Sequence, residues 1–584
     1  MTGIRRLAIM AGMVFLFGLT SLTDTKGTGT VNADLFESRF PFTVLTGMSN
    51  VYTQDAEVLS DTTGIDVFYY DLDVRIDPSR EWIGGVVIWG ARKTEDCAWM
   101  DVKLDAPFRV ENIRIGSTLD ARPDTVSWHR TKDPHGVTVQ LPNWIEIGES
   151  FYLHIEYEGM PRVAETPPWD GGFVWAHSES GAPWIGVTAQ MSGASIWWPS
   201  MNHPSDRPDS VSMKWTLPDS LIVASNGILE GVEFPEAGWK QWHWMVSHPV
   251  SPYQISLNAG SFRERHSIYN SREGRDVPIR LWVQSERESR AKWLEEELSR
   301  HLEFFEQRLG PYPFSDEKLG IVHTPYLGME HQTILSYGGR FEPDGLFGAN
   351  LGFDDLLHHE LAHEWWGNMV TVRDWRHFWM HEGFATYMQA LYAEEISGRS
   401  DYRRMMYRIR PLIRSRAPLV PPVSSTTSEM ASDGRSADVY YKGAWILHTV
   451  REWIGPDRFD PLLKSFLWEG PGSSGAGTPP SRTVDSEMWI QWVEHHVEEP
   501  VRPVLESYLY GSQLPRLSVE NVEDGIRIRW SDSAFSAIPV VIESERGRER
   551  LHIPESGLDI PGMESSGVVI DPDGSILMED PVRM

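Results

Sequence analysis

The sequence contains a single cysteine, Cys97, and has far fewer basic than acidic residues. One cysteine cannot form a disulfide bond within the chain, so the fold has no covalent cross-link of that kind. The chain has 53 lysines and arginines but 83 aspartates and glutamates, so its net charge is −30. Because such a charge repels phosphate backbones, we expect no nucleic-acid partner.

Long apolar runs are also missing, except at the N-terminus. Arg5 and Arg6 precede an apolar run from Leu7 to Leu22, and a polar stretch from Thr23 to Asn32 follows. This order is typical of an export signal, so residues 1–32 are interpreted as a signal peptide and linker, and the protein as periplasmic or secreted. No Ala-x-Ala cleavage site is evident, so an uncleaved N-terminal anchor formed by the apolar run is the alternative.

The patterning of the remaining chain predicts a multidomain α+β protein. Tyr70, Leu72, Val74 and Ile76 alternate with polar residues, and similar alternation predicts an N-terminal β domain, a sandwich or saddle-shaped sheet, over residues 62–260. Helical periodicity dominates residues 261–511, and alternation returns in residues 512–584, which predicts a small C-terminal β-sandwich.

Within the helical region, Leu294, Leu298, Leu302, Phe305 and Leu309 fall on one helical face. A strand is predicted from Leu319 to Thr324. Two further helices are predicted, at about Asp354–Asn368 and Trp379–Ser397, the second ending at Gly398.

The first of these two helices contains the string His359-Glu360-Leu361-Ala362-His363. Residues four apart lie on one face of a helix, so both imidazoles can reach a single ion with the glutamate beside it. Zinc held by two histidines and one carboxylate, with a water in the open position, is a hydrolytic site. Eighteen residues separate His363 from Glu382, which opens the second helix and is the candidate third ligand.

These residues and their neighbours resemble the aminopeptidase N family of gluzincin metallopeptidases. The resemblance is carried by His359-Glu360-x-x-His363-x-Trp365-x-Gly367-Asn368, by Trp375 and by Glu382-Gly383-Phe384-Ala385. Other landmarks of that family are matched by Trp197-Trp198-Pro199, Ser225-Asn226-Gly227 and Gly310-Pro311-Tyr312-Pro313-Phe314. The resemblance implies one zinc ion per chain and a thermolysin-like catalytic domain. It also implies a short form of the family, without its C-terminal helical superhelix.

Leu327-Gly328-Met329-Glu330-His331 resembles the family's Gly-Ala-Met-Glu-Asn motif, in which the glutamate binds the free α-amine of the substrate. Gly328, Met329 and Glu330 are therefore expected to bind substrate, since a carboxylate facing an ammonium forms a charge-assisted hydrogen bond. Leu327 and His331 depart from the motif, which puts the fine geometry of substrate binding in doubt.

Two further residues are expected at the site because of the resemblance. Gln190 matches a glutamine of the β domain that lines the first specificity pocket, although a register shift of two would select Ser192 instead. Tyr440, rather than Tyr441, matches the tyrosine that stabilises the oxyanion, because Lys442-Gly443 fixes the register. His381 has either a packing role or a role supporting the ligands.

The sequence therefore predicts an exported zinc aminopeptidase that acts on peptides with free N-termini, with Glu360 as general base and Tyr440 as oxyanion donor. Three alternatives stay open: a binding protein on an inactive peptidase fold, an epoxide hydrolase acting on a lipid, and an endopeptidase. The complete set of ligands disfavours the first, and Glu330 disfavours the third.

Overall fold

The computed structural model describes residues 64–343, 351–425, 427, 435–472 and 481–583. These residues form a mixed α+β structure with a β-rich N-terminal part, a helical middle part and C-terminal strands. The expected signal segment, residues 1–32, lies outside the described residues. None of the described helices combines the length and apolar character that crossing a bilayer requires.

The β-rich part is built on an eight-stranded sheet with the order β13-β14-β11-β1-β2-β8-β4-β5. The alternation predicted for β1 is confirmed, because Tyr70, Leu72, Val74 and Ile76 are fully buried while Asp73 is exposed. Two smaller sheets have the orders β12-β15-β10-β9 and β3-β7-β6. The strands of this part are β1 (Ile65–Asp77), β2 (Trp82–Lys93), β3 (Trp99–Lys103), β4 (Phe108–Gly116), β5 (Asp124–Thr125), β6 (Trp128–Arg130), β7 (Gly136–Gln140), β8 (Ser150–Gly159), β9 (Gly172–His177), β10 (Pro183–Thr188), β11 (Ser210–Pro218), β12 (Ile222–Ser225), β13 (Ile228–Glu236), β14 (Trp239–Val246) and β15 (Leu257–Gly260).

The helical part opens with a β-hairpin that the sequence analysis did not predict. Its two strands join a five-stranded sheet with the order β16-β17-β18-β20-β19. The signal was present, since Val277, Ile279, Leu281 and Val283 alternate along β17 and are all buried. The strands of this part are β16 (Phe262–Asn270), β17 (Asp276–Gln284), β18 (Leu319–His323), β19 (Gly328–Met329), β20 (Ile334–Tyr337), β21 (Val370–Val372) and β22 (Arg482–Val484).

Eight helices are described for this part: α1 (Ala291–Leu309), α2 (Asp355–Ala362), α3 (Trp379–Ser397), α4 (Arg399–Ile409), α5 (Arg435–Ile454), α6 (Pro456–Glu469), α7 (Ser486–His496) and α8 (Val501–Tyr510). The predicted apolar face of α1 is buried throughout, and α3 has the predicted bounds. The predicted C-terminal end of the first helix, at about Asn368, was wrong, because α2 ends at Ala362. Gly367 adopts φ 140 there and the chain turns into β21, with the Asn368 amide donating to the His363 carbonyl at 2.9 Å.

The C-terminal strands form two small sheets with the orders β27-β24-β23-β29 and β26-β25-β28. Ile526, Ile528 and Trp530 are buried along β24, which confirms the alternation predicted there. The strands are β23 (Leu517–Val522), β24 (Gly525–Trp530), β25 (Val540–Ser544), β26 (Gly547–Leu551), β27 (Leu558–Pro561), β28 (Val569–Ile570) and β29 (Val582–Arg583).

Candidate metal centre

The start of α2 is fixed by a buried set of hydrogen bonds. Asp354 caps the helix, because its Oδ1 accepts the Leu357 amide at 2.9 Å. The Asp354 amide in turn donates to Glu297 Oε1 at 3.0 Å, and the Tyr337 hydroxyl donates to the Asp354 carboxylate. This cap holds the helix that carries His359 and Glu360 in a defined place between α1 and β20.

Glu382 lies in the first turn of α3, which packs against α2. The side-chain amide of Gln389, two turns further along α3, donates to the Asp355 carbonyl at 2.9 Å and ties the two helices together. On its other side α3 packs against α5, where Gly383 faces Gly443. A Cβ on Gly383 would lie 2.9 Å from the Gly443 Cα, so the close approach of α3 and α5 requires glycine.

Three donor atoms from α2, its C-terminal turn and α3 meet in one place. The Nε2 atoms of His359 and His363 are 3.2 Å apart, and Glu382 Oε2 lies 3.0 Å from the first and 3.5 Å from the second. Ligands about 2.0–2.1 Å from a tetrahedral zinc ion are separated by about 3.3 Å. The triangle therefore has the dimensions of a zinc coordination face, as the sequence predicted for these residues.

The remaining atoms of the ligands are held by hydrogen bonds that suit metal binding. His363 Nδ1 donates to the Trp366 carbonyl at 2.9 Å, which leaves the lone pair of Nε2 pointing into the site. Glu382 Oε1 accepts from Gln190 Nε2 at 3.0 Å, which leaves Oε2 to face the histidines. The residues present therefore fit a divalent cation.

The electrostatics of the centre also favour a bound cation. Burial raises the pKa values of Glu330 and Glu360, whose neighbouring carboxylates raise them further. Burial disfavours the charged ring of His363, but the carboxylate of Glu382 outweighs this and raises the pKa of His363 to about 10. Burial acts against the charge of Glu382 too, yet His363 and His359 lower its pKa well below the usual range. Three buried carboxylates so close together need a compensating positive charge.

Glu330 follows β19 and lies beside the ligands. Carboxylate oxygens of Glu330 and Glu360 and a ring nitrogen of His363 all lie within 4.8 Å of one another. A Cβ at Gly328 would lie 2.3 Å from Glu360 Oε1, so a larger residue there would displace the Glu360 carboxylate. Met329 is buried and pairs with Ser336 in β20, which fixes the register of the short strand.

Gln190 also reaches the centre, although it lies far away in the sequence. Its Nε2 lies 3.0 and 3.1 Å from the two oxygens of Glu330. Ser192, the alternative from a register shift, instead accepts a hydrogen bond from the Gly171 amide at 3.3 Å. The structure therefore places Gln190, and not Ser192, against the carboxylate expected to bind the amine.

Tyr440 lies at the other side of the centre, on α5. Its ring stacks on that of His359 with a centroid distance of 6.0 Å and an angle of 23°. Tyr440 is half-buried, whereas Tyr441 is buried. Tyr440 is thus the more exposed of the two tyrosines, and its ring contacts that of His359.

Three further histidines near the centre, His331, His358 and His381, are buried among other groups. His381 Nε2 accepts the Val372 amide at 2.9 Å, and burial lowers the pKa of His381 to about 3, so its ring is neutral. His331 Nδ1 forms a hydrogen bond with Ser336 Oγ at 3.1 Å. Burial lowers the pKa of His331 to about 3 as well, so this ring is also neutral. His358 stacks between Phe305 and Tyr392. The structure thus places His381 against the backbone of β21.

Sequence reasoning missed Tyr253, whose hydroxyl lies 3.2 Å from Glu330 Oε1. It sits in a single 3-10 turn, Pro252–Gln254, which closes with a capping box between Ser251 and Gln254. The Ser-x-x-Gln pattern could have indicated the turn. Nothing in the local sequence could have shown that the turn faces Glu330.

Comparison with known proteins agrees with this geometry. Residues 296–475 match the model of the peptidase family M1 domain. The chain is 23% identical to rat (Rattus norvegicus) glutamyl aminopeptidase over 546 residues, which cover 84% of this chain and 54% of that protein. It is also 23% identical to aminopeptidase N of Canis lupus familiaris over 355 residues, which cover 57% of this chain and 35% of that protein. The chain thus spans about half of the length of these relatives, or less.

The fold is shared with a solved M1 zinc metallopeptidase from Deinococcus radiodurans. The two chains are 24% identical, and the superposition has a TM-score of 0.62 and covers 77% of this chain and 94% of that one. A mutant of the same metallopeptidase, bound to a Tyr-Ser-Ala substrate, superposes with the same TM-score. The similarity shows that the β-rich part and the helical part share the architecture of that structure.

Proposed function

We propose that the chain, whose residues 296–475 match the peptidase family M1 domain, is a zinc-dependent aminopeptidase that releases single N-terminal residues from peptides. The observation that carries the proposal is the triangle formed by His359 Nε2, His363 Nε2 and Glu382 Oε2, with Glu330 beside it. The triangle supplies a zinc site, and Glu330 supplies a partner for a free amine.

His359, His363 and Glu382 would hold one zinc ion, which would supply Lewis-acid activation of the scissile carbonyl and of a water molecule. Glu360 would act as the general base that takes a proton from the attacking water and as the acid that passes it to the leaving amine. The Tyr440 hydroxyl donates a hydrogen bond to the carbonyl oxygen as negative charge develops there.

Glu330 and Gln190 act on the other end of the residue that is removed. The Glu330 carboxylate accepts hydrogen bonds from the α-ammonium, while Gln190 orients that carboxylate. The distance between Glu330 and the metal ligands allows one residue between the amine and the scissile bond. This fixed distance makes the protein an exopeptidase rather than an endopeptidase.

The test is hydrolysis of an aminoacyl anilide by the purified protein, with and without a chelator, beside the same anilide with an acetylated amine. Hydrolysis of the free-amine substrate alone, lost with chelator and restored by zinc, supports the proposal. A protein that binds zinc but cleaves neither substrate is a binding protein on a peptidase fold. Equal cleavage of both substrates indicates an endopeptidase. The Glu330→Ala variant is expected to lose the preference for the free amine.

We also propose that the protein is exported, on the basis of Arg5, Arg6 and the apolar run from Leu7 to Leu22. Expression of the full chain with fractionation of the cells tests this proposal. N-terminal sequencing of the exported protein distinguishes a cleaved signal from an anchor. Recovery of the protein in the cytosol with an intact N-terminus would reject it.

A further inference from the structure

Tyr253 brings a second part of the β-rich sequence to the amine-binding carboxylate. Its side chain is buried, and its hydroxyl lies 3.2 Å from Glu330 Oε1. Tyr253 lies outside residues 296–475, the range matched by the family domain, and close to the end of β14 in sequence.

The carboxylates of the centre offer more acceptors than Gln190 can satisfy. Its Nε2 lies within 3.1 Å of three oxygens, namely both oxygens of Glu330 and Oε1 of Glu382. A primary amide has only two hydrogens, so two of the three oxygens would have to share one hydrogen. The Tyr253 hydroxyl supplies the third hydrogen. Each oxygen can then receive one hydrogen: Oε1 of Glu330 from Tyr253, and the other two from Gln190.

The direction of the Tyr253 hydrogen bond is fixed by its other neighbour. Gln254 Oε1 accepts the Ser251 amide at 3.3 Å, which turns Gln254 Nε2 towards the phenol oxygen, 3.3 Å away. The same Nε2 donates to the Gly367 carbonyl and to the Asn368 side chain, beside the turn that ends α2. An amide nitrogen cannot accept a hydrogen bond, so the Tyr253 hydroxyl does not donate to Gln254 and donates to Glu330 Oε1 instead.

We propose that Tyr253 is a positioning residue for substrate binding. Its hydroxyl anchors Glu330 Oε1, so that Oε2 faces the α-ammonium of the incoming peptide. The role rests on the proposed aminopeptidase function and deepens it, since it makes recognition of a free N-terminus depend on a turn of the β-rich part. Without the phenol hydrogen, Gln190 must divide two hydrogens among three oxygens and the carboxylate loses its fixed orientation.

The test is the Tyr253→Phe variant, assayed with an aminoacyl anilide. Because the ammonium contact exists in the bound substrate as well as in the transition state, its loss is expected to raise KM and to change kcat little. A hydrogen bond to a charged group sets the scale at about a tenfold rise in KM, with kcat changed by less than about threefold. Zinc content, measured by metal analysis, is expected to equal that of the wild type.

Two controls separate this role from a general structural one. Tyr157→Phe removes a buried phenol hydroxyl of β8, which donates to the Trp197 carbonyl at 3.0 Å, and is expected to leave KM unchanged. In a Glu330→Gln background, Tyr253→Phe is expected to raise KM no further, because the group that it positions is already altered. Thermal unfolding of each variant checks that it is folded.

The outcomes distinguish the inference from the proposed function. An active wild type whose KM is unaffected by Tyr253→Phe overturns the role of Tyr253 and leaves the aminopeptidase function standing. The same holds if Tyr253→Phe raises KM equally with and without Glu330→Gln. A zinc-loaded wild type that hydrolyses no aminoacyl anilide overturns both. A rise in KM that requires an intact Glu330 supports the inference.

Discussion

Replacing Gly383 with alanine is expected to reduce catalysis without removing the metal. In the native structure Gly383 of α3 packs directly on Gly443 of α5. An added Cβ would lie 2.9 Å from the Gly443 Cα and 3.1 Å from the Val439 carbonyl oxygen, both of which are backbone atoms that cannot rotate away. The two helices must therefore move apart.

The size of the movement follows from these distances. Carbon atoms in contact prefer about 3.5 Å or more, so the helices must separate by about 0.6 Å. Overpacking of this kind lowers the stability by about 1–3 kcal/mol. The higher helix propensity of alanine raises the stability by about 1 kcal/mol. The net loss of stability is then about 0–2 kcal/mol.

The expected effect on activity is larger than the effect on stability. Glu382 stays with α2 through the Gln389 contact, so the metal ligands remain together. Tyr440 is carried by α5 and is displaced, and a misplacement of about 1 Å can cost about a hundredfold in rate. We expect kcat to fall by about ten- to a hundredfold with an unchanged zinc content.

The assay combines kcat on an aminoacyl anilide, zinc content and thermal unfolding. Gly443→Ala makes the same contact from the other helix and should behave alike. Gly231→Ala is the matched control, since a Cβ there meets no atom within 4 Å. Wild-type kcat in a folded, zinc-loaded Gly383→Ala protein would refute the view that the glycine contact sets the position of Tyr440.

Three further predictions concern the general base Glu360, the metal ligand His363 and Glu297, which bonds the cap of α2. Glu360→Gln should bind zinc normally but lose nearly all turnover, and substantial remaining activity would reject Glu360 as general base. His363→Ala should lose the metal, which metal analysis measures directly. Burial raises the pKa of Glu297, but donation by His301, Arg300 and the Asp354 amide outweighs it and lowers the pKa from 4.5 to about 2. Allowing for solvent screening, Glu297 should thus contribute up to about 2 kcal/mol of stability above pH 4.5, and this is lost as the pH falls towards 2. Urea unfolding at several pH values should show this loss in the wild type and not in Glu297→Gln, with the exposed Glu296→Gln as control.

The metal ligands could be predicted from sequence because they depend on local geometry. The spacing of His359 and His363 is a property of any helix, and the predicted start of α3 placed Glu382 correctly in its first turn. The end of α2 could not be predicted, because helical periodicity continues through Trp365 and Trp366 although the chain turns there. Both tryptophans are fully buried, so tertiary packing sets the end of the helix.

The Glu330 side of the centre was harder to predict because its residues meet only through the fold. Gln190 and Glu330 are 140 residues apart, and the register of Gln190 within a short motif could not be settled by pattern alone. Tyr253 reaches Glu330 because the β-rich part docks on the helical part. The periodicity of a single segment predicts its secondary structure but not the part of the protein on which it packs.

The Ser225-Asn226-Gly227 landmark explains how the β-rich part holds the far side of the Glu330 loop. Asn226 is fully buried, and its Nδ2 donates to the Gln332 carbonyl at 2.7 Å, while the Gly227 amide donates to Thr333 Oγ1 at 2.8 Å. Gly227 cannot be replaced without strain, since it has φ 68 and a Cβ would lie 1.9 Å from the Met245 carbonyl oxygen. Hydrogen bonds to Gln332 and Thr333 therefore hold the loop just after Glu330, and Gln190 holds the Glu330 carboxylate itself. The metal ligands all lie within residues 296–475, whereas these supports all lie before them. Glu330 lies in the same range as the metal ligands, but the residues that hold it in place lie before that range, so a change in the β-rich part can displace Glu330 while the metal ligands stay together.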